Sequence, residues 1–84
     1  LQGNMAKTVE IHDQAWNVED IQREVDWSKQ QTWNLTEFTV ENDHEHCLIC
    51  YWTIFKSPDV ESGKGYKFNN NWLCLECYGK FVAT

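Results

Sequence analysis

Cys47-Leu-Ile-Cys50 and Cys74-Leu-Glu-Cys77 enclose 23 residues, and the reading of this stretch decides the fold. Two residues inside each pair allow a tight turn to aim both sulfurs at one ion, while the long interval suits a hairpin that brings the second pair to the opposite edge of a tetrahedron. Four thiolates fill such a tetrahedron, so the spacing predicts one structural zinc ion held by Cys47, Cys50, Cys74 and Cys77. Iron is the alternative for a four-sulfur set, but nothing else in the chain suggests electron-transfer partners or cluster insertion. Metal binding of this kind is folding energy, so the C-terminal half is expected to depend on the ion.

Between the pairs, Tyr51-Trp-Thr-Ile-Phe55 has the β-branched and aromatic content of a strand, with Trp52 and Ile54 on one side. Ser57 to Gly65 reads as a loop, since Pro58 lacks an amide donor and Gly63 and Gly65 permit unusual backbone angles. Gly65-Tyr-Lys-Phe68 is expected to return as a strand, and Asn69-Asn-Asn71 to form a tight connection to Trp72-Leu73. Leu75, Tyr78, Phe81 and Val82 then suit a short terminal helix, weakened by Gly79.

The order knuckle, strand, loop, strand, second pair at a helix start resembles a treble-clef zinc finger over about residues 44–84. In that resemblance Cys47 and Cys50 match the knuckle ligands, and Cys74 and Cys77 those in the first turn of the helix. It implies a zinc scaffold without fixing a function, because treble-clef-like modules serve nucleic acids, proteins and catalysis.

Upstream, Thr8 to Ile11 is expected as a strand. Asn17 has the character of an N-cap, with acidic Glu19 and Asp20 in the following turn and Val18, Ile21 and Val25 at helical spacing. An amphipathic helix over about residues 18–30 follows, packed through that stripe. Residues 35–41 alternate as a strand, and Asn42-Asp43 interrupt them as a turn. The fold class is therefore α+β: a small zinc-stabilised domain with a treble-clef-like C-terminal half and an added N-terminal strand and helix. Residues 1–4 read as a remnant ahead of Met5 as the natural start, leaving 5–84 as one zinc-binding domain.

The 84 residues carry a formal charge of −6, and the charge is uneven. Ten Asp or Glu stand against three Lys or Arg in residues 1–45, and three against four in residues 46–84. An acidic chain repels phosphate backbones, which disfavours general nucleic-acid binding and suits a basic protein partner. Most of Trp16, Trp27, Trp33, Trp52 and Trp72 are expected in the core, with one or two left for a partner. Trp16 and Trp33, with the acidic Glu19, Asp20, Glu24 and Asp26, are the candidate partner surface. No apolar run suits an export signal or a membrane span, so a reducing, cytoplasmic setting is expected.

The leading functional expectation is a small intracellular protein-interaction or regulatory module, of which an inhibitor or immunity-type protein is one form. A nucleic-acid-binding finger is the alternative, using Lys56, Lys64, Lys67 and Lys80 with Tyr66, Phe68 or Trp72 for stacking. A closed four-cysteine site leaves zinc no open position, which argues against an enzyme. A redox role for Cys74 and Cys77, or a nuclease-like site at His44-Glu45-His46, is the remaining catalytic alternative. His44 and His46 are candidates for hydrogen bonding to the metal ligands, and His12, beside Asp13, reads as a surface residue.

Overall fold

The computed structural model describes residues 7–84, so the expectation for residues 1–4 lies outside the described residues. They form a small mixed α+β domain whose chain order is β1 (Thr8–Ile11), β2 (Gln14–Asn17), α1 (Val18–Ser28), β3 (Asn34–Glu37), β4 (His44–His46), β5 (Thr53–Phe55), α2 (Val60–Gly63), β6 (Lys64–Phe68), β7 (Asn71–Leu73) and α3 (Leu75–Cys77), ending in a π-helical turn over Tyr78–Val82.

β1 and β2 pair antiparallel, with Ile11 opposite Gln14. The two intervening residues, His12 and Asp13, both have positive φ, at 50° and 65°. That is the backbone of a type I′ turn, whose hand matches strand twist, made here without glycine by residue types that tolerate the left-handed region. Local pairing rather than burial creates β2, whose residues are mostly exposed; the sequence places only β1 here.

α1 buries Ile21, Val25 and Ser28. It ends two residues before the expected boundary, where Gln30 and Gln31 donate to the carbonyls of Trp27 and Ser28, three residues back. Asn17 occupies the N-cap position in an extended conformation, but its side chain caps no backbone amide. The Val18 amide instead donates to the Lys7 carbonyl at 3.0 Å, so the hairpin supplies a partner for the helix start.

β3, β6 and β7 form an antiparallel sheet in that order, and β4 pairs with β5 across the first cysteine turn. β3 is shorter than the expected 35–41. Phe38 leaves the ladder, buries its ring and donates its amide to the Gly63 carbonyl at 2.8 Å. β5 likewise begins at Thr53, because Tyr51 has φ 66° and so cannot continue a strand.

The expected loop over 57–65 contains α2, capped by the Asp59 side chain on the Glu61 amide. Its glycines are required for space rather than for positive φ. A Cβ on Gly63 would lie 2.3 Å from the Ser57 carbonyl oxygen, and one on Gly65 would lie 2.8 Å from that of Leu73.

Two apolar clusters hold these elements. The larger joins Ile11, Ile21, Val25 and Trp33 from the N-terminal half to Cys47, Ile49, Leu73, Cys74 and Cys77. The smaller joins Phe38, Ile54 and Trp72. The cysteines are therefore in the main core, not appended to it.

Candidate metal centre

The turn that carries the first pair is closed by backbone bonds on both sides. The Cys47 amide donates to the Trp52 carbonyl at 2.8 Å, and the Tyr51 amide donates to the Cys47 carbonyl at 2.9 Å. Tyr51 pays for this tight reversal with a left-handed backbone, and the residue stays 72 % exposed. The Leu48 amide donates to the Trp72 carbonyl at 2.8 Å, which ties the turn to β7.

The second pair opens α3. Cys74 is its N-cap, with an extended backbone and a sulfur that accepts from the Cys77 amide at 3.4 Å. A free amide at a helix start thereby faces a sulfur, an arrangement that stabilises a thiolate. All four Sγ atoms lie within 4.8 Å of one another. Those of Cys50 and Cys74 are 3.7 Å apart. A tetrahedral zinc–thiolate site, with Zn–S near 2.3 Å, requires sulfur–sulfur edges of about 3.8 Å. The four thiols are unpaired, with Cys47, Cys74 and Cys77 buried and Cys50 partly so. The cluster can coordinate one metal ion, and its donor set fits zinc.

Crowding also sets the proton affinities. Cys47 is held far below the usual thiol range because the neighbouring Cys50, then Cys74 and Cys77, stabilise its charged form. Contact with Cys47 and Cys50, then burial, pushes Cys74 far up, and contact with Cys47, Cys50 and Cys74 does the same to Cys77. One charge in this pocket is stabilised and further charges are opposed. A bound divalent cation reverses that opposition, since a coordinating thiol is deprotonated outright.

The histidine against the sulfurs is His12. Its Nε2 lies 3.3 Å from Cys74 Sγ and its Nδ1 lies 3.4 Å from Glu76 Oε1. The ring stacks on Trp52 at 3.7 Å between centroids, with an interplanar angle of 12°. Its side chain is 12 % exposed, so the expectation of a surface residue is corrected. The His12 amide donates to Glu76 Oε2 at 3.1 Å, and Lys80 Nζ lies 3.0 Å from that same oxygen. Lys80 also donates to the Glu10 carbonyl. The Lys80 ammonium, together with the His12 amide, holds the Glu76 carboxyl below its usual range.

His44 and His46 lie on β4, both exposed, with their rings edge to face at 5.0 Å. His46 Nδ1 is 3.1 Å from the Tyr51 carbonyl oxygen. Both line a cavity of about 530 Å³ with residues that include Glu41, Asp43 and Lys56. Among the described residues, the only group of three or more side chains placed to hold a metal is the four cysteines.

Of the candidate partner residues, Glu19, Asp20 and Asp26 are exposed on α1, while Trp16 and Glu24 are half-buried. Trp33 is corrected to a core residue. It is 8 % exposed, its Nε1 donates to the Ser28 carbonyl at 2.8 Å, and its ring meets Trp27 and Phe68 edge to face. A single histidine 62 residues from its sulfur partner leaves no local pattern. The one sequence signal that could have pointed there is His12-Asp13 as a turn pair able to adopt positive φ.

Comparison with protein-family models, with curated proteins and with solved structures finds no match. No helix among the described residues is long and apolar enough to cross a membrane.

Proposed function

We propose that this chain is a small zinc-binding module of treble-clef type that acts by presenting a surface to a protein partner, not by catalysis. The observation that carries the proposal is the complete set of four core cysteine sulfurs, gathered within 4.8 Å. Such a set satisfies a tetrahedral ion and leaves no position for substrate or water, which is the character of structural rather than catalytic zinc. The treble-clef reading is supported by the cysteine turn between β4 and β5, the β6–β7 hairpin, and the second pair at the start of α3. An excess of acidic over basic residues, with Glu19, Asp20 and Asp26 exposed along α1, favours a basic partner by electrostatic attraction. An inhibitor of a basic protein is one form this role takes.

Two measurements test the reading. Elemental analysis of protein purified without added metal is expected to give one zinc per chain; iron or no metal contradicts it. A low-salt titration with single- and double-stranded oligonucleotides is expected to give no binding. Affinity that weakens steeply with salt would move the function to nucleic acid.

A further inference from the structure

We propose that His12 is a positioning residue of the metal centre, whose Nε2–H donates to the Cys74 thiolate and thereby makes docking of the β1–β2 turn and loading of the metal one coupled event. The inference rests on the metal reading above. A metal-bound thiolate is only an acceptor, so a ring nitrogen 3.3 Å from it serves it only as a donor. The ring is fixed on all its working sides. Trp52 covers one face, the Glu76 carboxylate faces Nδ1, and the His12 amide donates to the same carboxylate. The ring thus sits between the Glu76 carboxylate and a metal ligand, held by its stack on Trp52 and by the bond from the His12 amide to Glu76, and an outlying group so held can orient and tune a metal site. The anchor is contributed from both ends of the chain. Glu76 lies between Cys74 and Cys77 on α3, and Lys80 reaches from the following turn to the Glu10 carbonyl of β1.

The chemistry predicts a spectroscopic signature. A hydrogen bond to a thiolate lowers the energy of its lone pairs, so charge transfer from sulfur to a bound cobalt(II) ion requires more energy while the bond is present. His12→Phe keeps a ring able to stack on Trp52 and removes the donor. In the cobalt-loaded full chain, H12F is expected to move the sulfur-to-cobalt band to longer wavelength and to weaken metal binding by about tenfold to a hundredfold. His12→Gln, which restores an N–H donor, is expected to return the band toward its original position. Glu76→Ala, which keeps the ring but removes the acceptor of the His12 amide, should shift the band in the H12F direction by less, and it carries the test if H12F does not fold. A wild-type band position and affinity in H12F, or in E76A where H12F does not fold, overturn the inference alone. Failure of the wild-type chain to take up cobalt in a thiolate site overturns the metal reading with it.

Discussion

The two halves of the molecule solve the same problem with different means. The N-terminal half folds a hairpin and one amphipathic helix, and buries Ile11, Ile21, Val25 and Trp33 as ordinary apolar side chains do. The C-terminal half has short strands of three to five residues, and where its core meets the N-terminal one it places four thiols. Thiols gathered this closely are compatible with a core when a cation neutralises them, and they oppose one another without it. The comparison teaches that neither half owns the main core: the N-terminal half furnishes apolar side chains alone, and the C-terminal half adds the thiols to its own Ile49 and Leu73. In a chain of 84 residues a core of this size is close to the limit of independent stability.

The largest expected effect comes from attacking the metal side. Cys77→Ser, at a buried cysteine of the main cluster, should abolish stoichiometric metal and remove the cooperative thermal transition of the whole domain, read by circular dichroism. A variant that keeps α1 and its transition while losing metal would separate the halves. On the apolar side, Trp33→Ala removes a buried ring and its hydrogen bond to Ser28. A loss of about 3–5 kcal/mol is expected in denaturant unfolding. Metal stoichiometry under native conditions should persist as long as the chain remains folded.

Two smaller changes test how the C-terminal half is packed. Gly65→Ala places a methyl 2.8 Å from the Leu73 carbonyl oxygen and 3.1 Å from Ile54 and Trp72. Overpacking of about 1–3 kcal/mol is expected, visible as a lower denaturant midpoint. Tyr51→Gly acts in the opposite direction, because an exposed ring is exchanged for a residue at ease with φ 66°. Release of left-handed strain, offset in part by the greater freedom of glycine in the unfolded chain, should raise stability by up to about 1 kcal/mol in a thermal melt. A lowered midpoint in that variant would mean that the Tyr51 ring contributes more than its exposure suggests.

How much of this was legible follows from the range of each interaction. The cysteine pairs and the helical stripe are local patterns; the sulfurs gather as their spacing implies, and Ile21 and Val25 of the stripe are buried while Val18 is only half-buried. β3 and β5 came out shorter than their β-rich sequences suggest, because burial of Phe38 and the reversal at Tyr51 override local propensity. The β2 strand depends on a His12–Asp13 turn without glycine, the weaker form of a hairpin signal. Trp33 was eligible both for the core and for a partner face. Only the carbonyl of Ser28 and the neighbouring Phe68 decide the matter. The position of His12 was illegible, since its partners Cys74, Glu76 and Trp52 come from remote segments that the tertiary fold alone assembles.

The central claim is that one metal ion at Cys47, Cys50, Cys74 and Cys77 organises the core shared by both halves. Amide hydrogen exchange followed by mass spectrometry, on the full chain before and after removal of metal with a chelator, tests it most directly. Loss of metal is expected to remove protection from β6, β7 and α3 and, in the same step, from β1 and α1. Protection that is unchanged by the chelator, in a chain that carried metal before treatment, would contradict the account.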